Sequence, residues 1–126
     1  MIKQPVGSSL CGQCCLGEIL FITLEESIKL VGHKHGTYTR ELTPHFLGVS
    51  TKVKMGFPDK YSLCTVHYKE HKFKHWVLFN KECDGKDSIY DPCIGFWVTY
   101  ENWVVAFGVT PRITSHVEIP TILKHK

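Results

Sequence analysis

The hydrophobic period changes once along this chain, and that change limits the folds open to it. From Cys14 to about Val31 the apolar residues Leu16, Ile19, Leu20, Phe21, Leu24, Ile28 and Leu30 recur at three- and four-residue steps, with Glu18, Glu25, Glu26 and Lys29 between them. That is the spacing of one buried amphipathic helix, and Gly32 is placed to end it as a left-handed cap. A loop over residues 32–37 then leads to a short helix from Thr39 to Leu47, just before Gly48, with Pro44 in its middle. Beyond residue 60 the period shortens toward two. Ser62 to Tyr68 and Phe73 to Phe79 are rich in Val, Leu, Phe, Trp and Thr and read as antiparallel strands joined by a turn over Lys69 to Lys72. Asp84 to Asp87 reads as a second turn, and Ser88 to Tyr90 as a strand stopped at Asp91-Pro92, because proline has no N–H to give a ladder. Trp97 to Trp103 reads as irregular or helical, and Val104 to Val109 and Arg112 to Ile119 as the last two strands. Helices first and an antiparallel sheet afterwards predict a single α+β domain over residues 1–126.

The length suffices for a self-supporting core, and 43% hydrophobic with 21% charged residues is ordinary globular usage. A formal charge of +3, spread apart from short lysine clusters near residues 69–74 and 124–126, does not make a nucleic-acid-binding face. The longest apolar stretches, such as Val104 to Val109, fall far below the roughly 18 to 20 residues that span a bilayer, so no membrane span is expected. The first ten residues carry no secretory signal, which fits a cytoplasmic protein or an effector exported by another route. The oligomeric state is not written in the sequence.

Six cysteines stand at 11, 14, 15, 64, 83 and 93. Their crowding at 11 to 15 fits a reactive site in a reducing compartment better than a framework of bridges. Cys11 sits where the helical pattern begins, and a helix N-terminus offers unpaired amides and a positive dipole end, both of which favour thiolate over thiol. Gly12 permits close approach of a substrate carbonyl. Gln4, seven residues upstream, can present a side-chain amide to an oxyanion. Of the eight histidines, His75 alone opens a central apolar run, Trp76-Val77-Leu78-Phe79, where a rigid strand would hold an imidazole still. Asp91, sixteen residues later, closes the next strand. Bonded to Nδ1, it would fix the tautomer that leaves Nε2 toward the thiol. His33 and His35 lie on a loop able to wall a substrate cleft, and Trp76 joins this substrate-facing set.

Gln4, a short loop, Cys11-Gly12-Gln13-x-Cys15-Leu16 on a helix, then His75-Trp76-Val77-Leu78-Phe79 and Ile89-Tyr90-Asp91-Pro92 resembles the papain-like cysteine peptidases that process double-glycine bacteriocin leaders, together with their stand-alone bacterial relatives. The blocks span most of the chain in the family's order, with a Gln-to-Cys loop one residue longer and no transporter domain after them. The resemblance implies a helix bearing the nucleophile packed on an antiparallel sheet bearing His75 and Asp91. It also implies amide hydrolysis of a protein or peptide substrate without metal or other cofactor.

Other readings compete. Cys11-x-x-Cys14 has redox spacing, but a thioredoxin context needs a preceding βαβ unit. Cys11-x-x-Cys14, His33-x-His35 and Cys64-x-x-His67 have zinc-like spacing with nothing to show which four would converge. Cys14 lines the inner helix face and, one turn from Cys11, is a candidate resolving thiol. Asp87 is the alternative orienting acid, and Trp97 and Trp103 are most simply core aromatics. Acyl transfer, side-chain deamidation and a non-catalytic binding module on the same fold also stay open.

Overall fold

The stretch expected as one long helix is two. In the computed structural model, which describes residues 1–47, 53–67, 75–82, 85–107 and 111–120, α1 (Cys11–Leu20) ends where Phe21 turns left-handed at φ 58°. α2 (Leu24–Val31) then starts on a capping box, in which Thr23 Oγ1 accepts from Glu26 N and Glu26 Oε1 accepts from Thr23 N, each at 3.1 Å. A capping box satisfies two amides that a continuous helix would have used internally, so Thr23-x-x-Glu26 restarts the helix in a new direction. The left-handed cap at Gly32 is as expected, at φ 92°. Pro44 divides the next helical segment into α3 (Thr39–Leu42) and α4 (Pro44–Leu47).

The sheet has six strands in the order β1-β6-β2-β3-β4-β5, every neighbouring pair antiparallel. They are β1 (Lys54–Met55), β2 (Ser62–His67), β3 (His75–Lys81), β4 (Asp87–Tyr90), β5 (Trp97–Thr99) and β6 (Arg112–Glu118). The sequence did not announce β1 or β5, which are two and three residues long. The expected strand at Val104 to Val109 is corrected through residue 107. Thr99 Oγ1 accepts from Asn102 N at 3.2 Å and opens α5 (Tyr100–Phe107), a helix. Residues 108 and 109 lie outside the described residues, as do Gly48, Tyr68, the Lys69 to Lys72 turn, Phe73, Lys74, Cys83 and Asp84. The second turn is seen at Gly85, φ 84°, whose N–H reaches Glu82 O at 2.9 Å.

Alternation along β3 divides the core. Trp76 and Leu78 pack with Cys15, Leu16 and Ile19 of α1 and with Leu42 and Phe46. Val77 and Phe79 pack with Cys64, Val66, Ile89 and Trp103 of α5. The sheet is therefore covered by α1, α3 and α4 on one face and by α5 on the other. The N-terminal segment is fastened across this arrangement: Tyr90 Oη donates to Ile2 O, and Gln4 N donates to Pro92 O at 2.8 Å. A Cβ on Gly17 would stand 2.5 Å from Ile2 Cδ1, so the Ile2 side chain packs directly on α1 at this glycine. Among the described residues no helix is long and apolar enough to cross a membrane.

Candidate functional site

Three chain positions far apart in sequence meet at one corner: the first residue of α1, the first residue of β3 and the residue after β4. His75 Nε2 lies 2.7 Å from Asp91 Oδ1, with His75 7% and Asp91 1% exposed. The ring is thus turned the opposite way from the expectation. Nε2 meets the carboxylate, and the Cys11 thiol acts on the same ring, where with Asp91 it helps hold the imidazole's proton. The pairing of β3 with β4 sets this up, since Leu78 faces Tyr90 in register and Asp91 follows directly. Asp87, the alternative acid, is instead taken by Lys81 Nζ at 3.0 Å.

The electrostatics follow from burial and partners. Burial alone would lower the His75 pKa, but hydrogen bonds to Asp91 and then Cys11, with the Asp91 charge, raise it from 6.5 to about 9. For Asp91, burial would raise the pKa, and the His75 hydrogen bond and charge, then Trp103 and the Cys93 amide, outweigh it and lower the value. The carboxylate meets three donors: His75 and Cys93 N at Oδ1, 2.7 and 2.9 Å, and Trp103 Nε1 at Oδ2, 2.9 Å.

Trp103 is the functional residue that sequence reasoning missed. It is fully buried in the α5-side core, so its apolar body fits the core expectation. Its indole N–H is the part that serves the site. The capping signal at Thr99 marks a helix start, and a helix from Tyr100 would have put Trp103 on its first turn.

Gln4 is brought to the site by the Pro92 bond, but its side chain is largely engaged in its own loop. Nε2 donates to Ser8 O at 2.7 Å and Oε1 accepts from Cys93 Sγ at 3.7 Å. Gly7, at φ 77°, turns that loop, which Ser8 closes by donating from N and Oγ to Pro5 O. Leu10, at the N-cap of α1, has no side-chain group that caps the first-turn amides beside Cys11.

The substrate-facing set needs correction. Gly12 is buried, and a Cβ there would meet Thr37 Oγ1 at 2.0 Å and Trp76 Cδ1 at 3.2 Å. Its lack of a side chain serves packing. Trp76 is 4% exposed and donates from Nε1 to Thr37 O at 3.3 Å, which places it under the loop instead of along a cleft. That loop is tied to α1 by the fully buried Gln13, whose Nε2 donates to His33 O and His35 O at 3.1 and 3.0 Å. His33 is half-buried against Glu41, and His35 is exposed. The loop does flank the Cys11 helix, but through its backbone.

The remaining cysteines separate by environment. Cys14 and Cys15 are fully buried, and burial, then the charge of Cys11, pushes the Cys14 thiol up to about 12 and Cys15 well above its usual range. Cys14 does line the inner face, which makes it a poor resolving thiol. Cys64, buried in the α5-side cluster, is pushed up by desolvation, while His67 at the end of the same strand is exposed. The zinc spacings noted in the sequence do not converge. Among the described residues the one cluster of metal-type donors is His75, Asp91 and Cys93. An all-antiparallel sheet also lacks the βαβ context of a thioredoxin-type Cys-x-x-Cys. A separate groove of about 440 Å³, lined by Lys60, Tyr61, Asn80, Lys81 and Glu118 among others, lies at the other end of β3 from His75. No family model and no curated protein sequence matches the chain.

Proposed function

We propose that the protein is a papain-like cysteine peptidase that cleaves a peptide or isopeptide bond through a Cys11 thioester. One observation carries the reading: His75 Nε2 is held on a buried carboxylate at 2.7 Å, and the Cys11 thiol lies near enough to the same ring to help raise its pKa. That is the nucleophile, base and orienting-acid arrangement in its functional order. The order Gln4, Cys11, His75, Asp91 and the resemblance to leader-processing peptidases support it.

In the proposed cycle His75 Nδ1 takes the Cys11 proton and the sulfur attacks the carbonyl carbon. The oxyanion is met by the Cys11 backbone N–H and by the Gln4 amide N–H not given to Ser8. As the tetrahedral species collapses, His75 passes its proton to the leaving amine, and the acyl group stays on Cys11 as a thioester. Water then attacks the thioester while His75 accepts its proton, which releases the acid and restores the thiol. Asp91 keeps the ring oriented and the imidazolium stabilised throughout. An amine in place of water would give acyl transfer through the same intermediate.

The test is a panel of peptidyl acyloxymethyl ketones with peptide mapping by mass spectrometry. Selective modification of Cys11 that is lost in His75→Ala, with both proteins folded, is expected. No selective modification of Cys11 by any member would reduce the protein to a binding module.

A further inference from the structure

Cys93 takes no part in this cycle, yet the chain fixes its thiol beside the residues that do. It lies in the turn after Asp91-Pro92, where the Ile94 and Gly95 amides both return to Asp91 O at 2.9 Å. Its own amide donates to Asp91 Oδ1, so the backbone holds residue 93 against the carboxylate. Cys93 is exposed, in contrast to Cys14, Cys15 and Cys64. One donor atom each from His75, Asp91 and Cys93 lie within 4.8 Å of one another, and Gln4 Oε1 stands 3.7 Å from the Cys93 sulfur.

This is a nitrogen, oxygen and sulfur donor set, the mixture that suits a borderline cation such as Zn²⁺ and not a hard oxygen-seeking one. Donor bonds of roughly 2.0 to 2.3 Å put two ligands of a tetrahedral ion about 3 to 4 Å apart, so His75 Nε2 and Asp91 Oδ1, now 2.7 Å apart, must open slightly while the wider separations, up to 4.8 Å, close. We propose that His75 Nε2, Asp91 Oδ1 and Cys93 Sγ form a binding site for a thiophilic divalent cation that switches the catalytic corner off, with Gln4 Oε1 or water as the fourth ligand. The cation replaces the proton held between His75 and Asp91. The Cys93 thiol proton leaves to solvent as the S–metal bond forms, and the ring's one N–H proton moves from Nε2 to Nδ1 as the N–metal bond forms. A neutral imidazole ligated through Nε2 keeps its hydrogen on Nδ1 and has no lone pair left to accept the Cys11 proton. The inhibition rests on the peptidase reading; the binding does not.

The experiment titrates chelator-treated, reduced protein with Co²⁺ and then displaces it with Zn²⁺, following thiolate-to-metal charge-transfer absorption and calorimetry. Wild type and Cys11→Ala should both give the band, whereas Cys93→Ser and Cys93→Ala should lose it and bind about tenfold or more weakly. A band kept in both Cys93 variants and lost in Cys11→Ala would overturn the proposal, because the ion would then merely cap the nucleophile. Absence of any band in wild type would overturn it equally. Binding that needs Cys93 in a protein whose Cys11 never reacts with the ketone panel would uphold the site and sink the peptidase reading instead.

Discussion

β3 and the β4 segment beside it carry two ion pairs, one toward each end, and they show how position turns similar chemistry into different outcomes. Lys81 and Asp87 face each other in register at 3.0 Å with side chains 47% and 30% exposed. Water screens them, and such pairs contribute about 0 to 1 kcal/mol. His75 and Asp91 meet at 2.7 Å with side chains 9% and 1% exposed. There, burial removes the screening, and Trp103 and the Cys93 amide join the imidazole in holding the carboxylate charged. The pair at the open end fastens two strands. The pair under α1 and α5 holds a proton on a ring whose pKa the Cys11 thiol also helps raise.

The comparison is broken most severely by Asp91→Asn. Cys11 labelling should slow at least about a hundredfold, unfolding free energy should fall by about 3 to 5 kcal/mol in urea titrations, and the His75 titration followed by NMR should move down from about 9. Raising the pH is a gentler break at the same place. His75 binds its proton more tightly folded than unfolded, so its contribution is whole below about pH 6.5 and is lost as pH climbs through about 9, a change on the order of 3 kcal/mol. At the acid end the sign reverses. Asp91 has a lowered folded pKa, so its contribution fades as pH falls below the ordinary carboxylate range, and urea midpoints measured across pH should show both limbs. Trp103→Phe keeps the ring packing and removes one donor from the carboxylate, with an expected loss of about 1 to 3 kcal/mol and a higher Asp91 pKa. Lys81→Ala should cost less than about 1 kcal/mol, an effect that disappears in high salt.

Much of this corner was legible in the sequence because it depends on periodicity. The helical spacing after Cys11, the strand opening at His75 and the proline stop after Asp91 place three side chains on elements that an antiparallel sheet brings together. What escaped was decided by local competition or by distance. Thr23 and Glu26 break α1 from α2 through a capping box inside an otherwise continuous apolar pattern, and Thr99 starts a helix in residues whose β-branched composition favours a strand. The ring orientation of His75, with Nε2 on the Asp91 carboxylate, is set by a contact made only in the folded chain, which no spacing encodes. Trp103 supports Asp91 through one N–H on a side chain whose bulk reads as core. Gly12 read as an opening for substrate because a missing side chain looks the same in sequence whether substrate, or Thr37 and Trp76, takes up the space.

The central claim is that Cys11, His75 and Asp91 act as one unit, and residue-resolved labelling kinetics with a peptidyl acyloxymethyl ketone test it most directly. In wild type, Cys11 should be modified first although Cys93 is the more exposed thiol, and in His75→Ala its rate should fall by about a hundredfold or more while that of Cys93 does not fall with it. Modification that follows exposure, with Cys93 ahead of Cys11 in wild type or Cys11 equally fast in His75→Ala, would contradict the account.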